Sequence, residues 1–409
     1  RGGDRLTALS GCLRRLPARQ GRAAIRCLSL NDSPTRKPDS AASWCEAMTG
    51  HTLGSLASLV RELGSACTVL HIADGDLLAG SQEGVLACWS VESGTERWRI
   101  EDDGPFSDLS IFAGRVYASA SASLHAIDQS TGEILWSRVL EGASDYVQAC
   151  SDGVWASSSV YEIEISDYTE STVWRFDEEG GLQERWSGPE RPWYFGLHDG
   201  GGVLLGLGRP RCGFIRIRSG EEASHRPLEG DIPITVGVCR TDGRFLLGHS
   251  DGRVSTILGS EAETVGDVSS PVRAITGHGD TWIVGQESGL IVSSRGWSTT
   301  APGSTDSLSV GPSTSQGEAV WVSSWKEKSA RISVLDLHSG DSLLELGHKH
   351  RIRHLQTGFG KVAIGDSTGR IHLIEAGVLA RRAEESSDTA SDDERRSRLM
   401  ERLRQLQSA

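Results

Sequence analysis

The chain has 409 residues, with 42 Lys and Arg against 55 Asp and Glu, 49 Gly and only 2 Met. That length holds two average domains or one large all-β domain, and so much glycine excludes a helical bundle. The net charge of −13 conceals an uneven spread: residues 1–50 carry 9 basic and 4 acidic side chains, and residues 51–380 carry 26 against 44, a balance that repels phosphate backbones and disfavours general nucleic-acid binding.

Residues 1–41 form a basic leader. Leu6, Leu9, Leu13 and Leu16 fall at helical spacing among Arg14, Arg15, Arg19, Arg22 and Arg26, and Asp4 is the only acid before Asp32. The stretch resembles a mitochondrial presequence, with Arg26-Cys27-Leu28-Ser29 similar to a matrix-protease site; a disordered leader is the alternative. The eight cysteines are scattered, never as CxxC or as neighbours, which signals neither a zinc site nor a disulfide framework and suits a reducing compartment. A cytoplasmic protein is expected, or a mitochondrial matrix protein if residues 1–28 are a presequence. No apolar run approaches the roughly 20 residues of a membrane helix, so no membrane span is expected.

From residue 66 onward the chain repeats itself. The segment DGDLLAGSQEGVLACWSVESGTERWRI (74–100) has a near copy in AGRVYASASASLHAIDQSTGEILWSRV (113–139), and weaker copies follow to residue 377. Their opening glycines are Gly75, Gly114, Gly153, Gly201, Gly243, Gly279, Gly317 and Gly360, eight copies with a mean step of about 41 residues. A period of 40 to 45 with several short strands per unit predicts a β-propeller. The predicted fold is all-β, with eight four-stranded blades over residues 42–378; seven is the alternative if the sixth copy, with its weak outer strands, merges with a neighbour.

Within each copy the order is an apolar strand, a D-G-like turn, an apolar run ending in Gly or Ser, a second turn, an alternating strand, and an S-G or T-G hairpin such as Ser93-Gly94 or Thr131-Gly132. Trp98 and Trp136 stand four residues after the hairpin glycine, Trp186 five after Gly181 and Leu344 four after Gly340. Packing between neighbouring blades is their expected role. The eighth copy stops after its third strand, at Glu375, so a segment within Ala42 to Val60 is expected to supply the fourth and close the ring.

AIDQSTGEILW (126–136) resembles the repeat of the pyrroloquinoline-quinone-type propellers, approximately A-x-D-x-x-T-G-x-x-x-W, and VLDLHSGDSLLEL (334–346) is similar with Leu in place of Trp. The last copy, in which Gly347-His348 leads into HLQTGFGKVAIGDSTGRIHLIE, resembles a WD40 repeat. The resemblance implies propeller architecture over about residues 66–377. It leaves function open among quinone enzymes, outer-membrane assembly factors of the BamB kind and scaffolds. Quinone enzymes of that family carry a vicinal cysteine pair and a calcium site of acidic and amide side chains. Neighbouring cysteines do not occur in this sequence, and no cofactor, metal or catalytic residue is expected.

Two clusters stand out as sites. Blade 4 carries Arg209, Arg211, Arg216, Arg218 and Arg226 in an otherwise acidic ring, preceded by Arg191, Trp193 and Tyr194; Arg forks suit carboxylates or phosphates, and the aromatics suit an interface. The run HKHRIRH (348–354) offers His348 and His350 as metal ligands, against a loop in which the Gly-His pair hydrogen-bonds its own blade. Residues 379–394 read as an acidic Ser/Asp/Glu linker and 395–409 as a short amphipathic helix with Leu399, Leu403 and Leu406 on one face. The function expected from all this is a non-catalytic scaffold that binds a protein partner through Arg191, Trp193, Tyr194, Arg209, Arg211, Arg216 and Arg218. The alternatives are a quinone or small-molecule enzyme and a BamB-like assembly factor.

Overall fold

The computed structural model describes residues 52–198, 201–315 and 317–383. The basic leader and the helix expected at 395–409 lie outside the described residues. Eight antiparallel sheets of four strands follow one another around a ring, and the sixth copy is a blade of its own although its outer strands, Leu290–Ser293 and Ser298–Thr300, are short. Strands are labelled A to D from the innermost outward, so that blade 1 runs Cys67–Ile72, Asp76–Ser81, Val85–Ser90 and Glu96–Glu101. The face bearing the B–C turns and the D–A connections is called upper.

Blade 8 takes strands A to C from the end of the chain, Ile352–Gly358, Lys361–Asp366 and Arg370–Glu375, and its strand D from Leu59–Glu62, with Leu59 opposite Leu373 and Glu62 opposite Arg370. Closure from the N-terminal side was expected, and the strand begins at the very end of the expected range and runs two residues past it. A four-residue helix, Leu53–Leu56, capped by Thr52 and Ser55, leads into it. Leu53 and Leu56 are fully buried with Trp321, Leu346, Ile374 and Leu379. Leu379 belongs to a second helix over 376–383, inside the first part of the stretch read as linker. From that helix Arg382 donates to the carbonyls of Ser55 and Ala57, each at 2.8 Å.

The core lies between blades. Val69 and Leu78 of blade 1, for example, share a cluster with Phe106, Leu109 and Val116 of blade 2. Three features repeat at these junctions. First, the outer-strand tryptophans sit over the C–D hairpin glycine of the next blade: a Cβ on Gly132 would lie 2.6 Å from Trp98, on Gly180 2.7 Å from Trp136, and on Gly340 2.5 Å from Trp297. The glycine is needed twice over, because its φ of 77° at Gly132 is left-handed and the indole occupies the space of a side chain. Each indole N–H then donates to that same blade, to the carbonyls of Gln129, Glu178 and Leu337. At the ring closure Leu59 and Arg61 take the place of the tryptophan against Gly94.

Second, the Gly near the end of strand B makes room for the next blade: a Cβ on Gly80 would lie 2.8 Å from that of Phe106, and one on Gly248 2.5 Å from Val272. Third, every strand A is bulged near its start, and the residue left unpaired is Thr68, Ser107, Asp145, Trp193, Thr235, Arg273, Asp306 or Arg353. A bulge re-aims a side chain. Ser107 and Thr235 use it to donate to Ser144 and Val272 of the next blade, each at 2.6 Å, and Asp145 and Asp306 to hold Arg191 and Arg351 at 2.7 and 2.5 Å.

Candidate functional site

In most blades strands B and C are five or six residues long, but in blade 3 they are Gly153–Glu162 and Asp167–Phe176. Strand A reaches only to the partner of Ser159 and strand D only to that of Ser171. Residues 160–170 therefore leave the sheet as a two-stranded arm on the upper face. Tyr161 pairs with Tyr168, their rings edge to face at 5.1 Å, and Glu162 pairs with Asp167. At the tip Ser166, with φ of 56°, donates its N–H to Ile163. Tyr161 is 50%, Ile163 83% and Ile165 59% exposed, and Glu162, Glu164, Asp167 and Glu170 are exposed beside them.

At the foot of the arm an open groove of about 590 Å³ is lined by Ser107, Ser121, Gly142, Asp145, Tyr168 and Arg191 among others. Arg191 organises it. Its guanidinium meets the buried Asp145 carboxylate at 2.7 Å and lies 4.4 Å from the Tyr168 ring centroid and 5.4 Å from that of Trp193. Burial opposes its charge, but the Asp145 carboxylate outweighs that and raises its pKa above the usual arginine value. Trp193 is half exposed at the bulge of blade 4, its carbonyl accepting from the Tyr146 hydroxyl at 3.3 Å.

The seven residues singled out in the sequence are therefore divided. Arg191 lines the groove, and Trp193 stands beside its guanidinium. Tyr194, one residue on, is packed inward against Phe245 between blades 4 and 5, and burial raises its hydroxyl pKa. Arg209 is exposed in the B–C turn of blade 4 on the upper face. Arg211, in the same turn, forks onto the buried Glu190, one of its two contacts being 2.8 Å. Arg216 and Arg218 lie at the far end of strand C, toward the lower face, where Arg216 contacts His198 at 3.2 Å. Burial, then the charge of Arg218, lowers the pKa of Arg216. The basic residues of blade 4 thus face two sides of the ring rather than forming one island.

The HKHRIRH run forms a brace. His348 donates from Nε2 to the Asp366 carboxylate at 2.9 Å, and the ring of His372 stands edge-on to that of His348 at 5.8 Å. Together these three place ligand-type atoms within 4.8 Å of one another, a grouping in which Asp366 and His372 were missed by the sequence and His350 plays no part. The Asp366 oxygens are already engaged, one by His348 and the other by the Thr368 N–H and hydroxyl and the Arg370 N–H. Burial opposes its ionisation, yet these donors hold the carboxyl far below the ordinary range. Within single blades, strands B and C are joined by Trp174 on Ser158 and by His249 with Ser255, each at 2.9 Å. The His348–Asp366 bond joins the outer strand of blade 7 to strand B of blade 8, with His348 at the end of a strand where the Gly-His reading expected a loop.

Cys67, Cys88, Cys150 and Cys212 are free, and burial pushes the Cys67 and Cys88 thiols up to about 12. Among the described residues no helix is long and apolar enough to cross a membrane.

Residues 39–161 match the family model described as outer membrane protein assembly factor BamB. Among solved structures, the computationally designed Ika8 protein superposes with a TM-score of 0.62 at 16% identity, over 78% of this chain and 99% of its own. Sqt1 of Saccharomyces cerevisiae does so with 0.61 at 11% identity, over 78% and 98%, and BamB of Moraxella catarrhalis with 0.58 at 14%, over 77% and 97%. No curated protein matches the chain in sequence. At these identities the structures bear on the fold alone, in accord with the eight-bladed propeller, and the matched model, which covers less than half of the chain, is of the pyrroloquinoline-quinone-like type.

Proposed function

We propose that the chain is a non-catalytic protein-interaction platform whose working surface is the upper face of blades 3 and 4. The observation that carries this reading is the arm at 160–170, which places three exposed apolar side chains beyond the sheet next to the half-exposed Trp193. Burying none of them, the arm contributes nothing to the core, and exposed apolar clusters of this kind mark sites of association. The match to an outer-membrane assembly factor, in both the family model and a solved structure, supports work by contact with other proteins. Among the described residues the free Cys67, Cys88, Cys150 and Cys212 support a reducing, cytoplasmic setting.

The test is affinity purification from the native cell extract, comparing the natural chain with one carrying Ile163→Ser, Ile165→Ser and Trp193→Ala. A partner recovered in stoichiometric amount with the first and lost with the second, at an unchanged melting temperature, is the expected result. Equal recovery with both chains would remove the upper face of blades 3 and 4 from the binding surface.

A further inference from the structure

The arm has a property that the platform reading alone does not require. Both of its edges are free: beyond Ser159 strand B has no strand A beside it, and before Ser171 strand C has no strand D. A two-stranded ribbon with free edges is marginally stable alone and a template for a further strand. Its two faces also differ in chemistry. Tyr161 and Tyr168 share one face, whereas Glu162 and Asp167 share the other. Glu164 and Glu170 add charge nearby, and among the described residues none of these four carboxylates forms an ion pair with a Lys, Arg or His.

Resting on the platform reading, we propose that the arm receives an extended segment of a partner protein, in which apolar residues alternate with Lys or Arg, as an added strand along its free edge. The alternation follows from strand geometry. Successive side chains of the added strand point to opposite faces, so the apolar ones meet Tyr161 and Tyr168 while the basic ones meet Glu162 and Asp167. Main-chain hydrogen bonds hold the segment, and the side-chain alternation selects it. The acidic ring around the arm steers such a segment in and turns a polyanion away.

The full chain is titrated into a fluorescein-labelled 12-residue peptide of alternating Lys and Leu, with anisotropy as the readout. Matched peptides replace Leu by Ser or Lys by Glu. Glu162→Lys with Glu164→Lys is expected to weaken binding of the Lys–Leu peptide about tenfold. The same reversal at Glu261 and Glu263, exposed on the outer strand of blade 5, changes it less than about twofold, because charges farther than a Debye length of about 8 Å are screened at physiological salt. Ile163→Ser with Ile165→Ser is expected to weaken it about tenfold through lost apolar contact.

If the arm and blade 5 reversals weaken binding equally, the peptide is held by general charge and the proposal falls. It also falls if the Lys–Ser peptide binds as well as Lys–Leu, if no peptide binds, or if the arm variants alter instead a self-association seen by sedimentation. Should either arm variant fail to fold, Asp167→Lys with Glu170→Lys replaces it. Loss of peptide binding with the stoichiometric partner still recovered would overturn the strand-addition proposal while leaving the platform reading intact.

Discussion

The ring is closed by a short segment, and Leu56 shows how much depends on it. Its side chain is completely buried against Trp321, Leu346, Ile374 and Leu379, where blades 7 and 8 meet the helix over 376–383. Truncation to Ala removes the apolar contact and leaves a cavity whose walls belong to three different elements, so collapse is incomplete. Leu→Ala at such sites costs about 2–5 kcal/mol, out of a typical total of about 5–15 kcal/mol. Val60, four residues on in the closing strand, is 39% exposed, and its truncation should cost less than about 1 kcal/mol. Urea unfolding followed by tryptophan fluorescence separates the two: at a slope of about 3 kcal/mol per molar, Leu56→Ala lowers the midpoint by roughly 1 M and Val60→Ala by a few tenths. Deleting 52–65 removes strand D of blade 8 altogether and should abolish the single cooperative transition. Equal midpoints for Leu56→Ala and Val60→Ala, or an unchanged transition after the deletion, would show that the segment does not clamp the ring.

Two further outcomes are expected. His372 is buried with neither ring nitrogen partnered, and burial, then the neighbouring His348, pushes its pKa down to about 4. Its unfolded value is about 6.5, so the unfolded chain takes up the proton first. Stability is then complete above pH 6.5 and falls as the pH drops toward 4, by about 3 kcal/mol from this group; His372→Gln should flatten the slope between pH 6.5 and 4.5 in urea midpoints, and an unchanged slope would acquit the residue. Arg191→Ala leaves the Asp145 carboxylate buried without its cation and is expected to cost about 3 kcal/mol. Adding Asp145→Ser should restore part of that loss, and a double-mutant cycle with no coupling energy would show that the pair is not a latch.

Much of the architecture was legible because it is enforced eight times. Glycine spacing gave the number of blades, and the distance from hairpin glycine to tryptophan gave the packing of Trp98 and Trp136. Trp297 escaped, since it directly follows Gly296 in a blade whose outer strands are short; Trp186 packs at the junction of blades 3 and 4 as expected, stacked on Trp155 with 5.4 Å between centroids. The closing strand was anticipated in kind, but LVRE has no apolar run by which to find it; half of its residues face solvent. The site was read less well, for a geometric reason. Arg209 and Arg211 occupy a turn, and Arg216 and Arg218 follow five to seven residues on in an extended chain, about 17–23 Å away at 3.3 Å per residue, on the other side of the ring. Nearness in sequence along a strand is distance in space. The arm left a subtler trace, YEIEISDYTE, an alternating stretch with no glycine where most of the other copies have one at the turn.

Blade 7 shows that the arm's chemistry is not imposed by the scaffold. It too has long central strands, Glu318–Lys326 and Ser329–Asp336, and a bulge aspartate, Asp306, that holds an arginine of the next blade as Asp145 does. Four blades apart, the same latch stands beside two hairpins, but in blade 7 strands A and D stay paired as far as Trp325 and Ala330, so only the turn over 326–329 lies beyond the sheet. In blade 7 the tip is Lys326, Glu327 and Lys328, with no large exposed apolar residue; in blade 3 it is acidic and carries Ile163 and Ile165. The latch alone therefore does not demand exposed isoleucines, because blade 7 has the latch without them. The exposed isoleucines at the blade 3 tip are thus a property of this arm and not of the latch, which supports the external contact proposed for it.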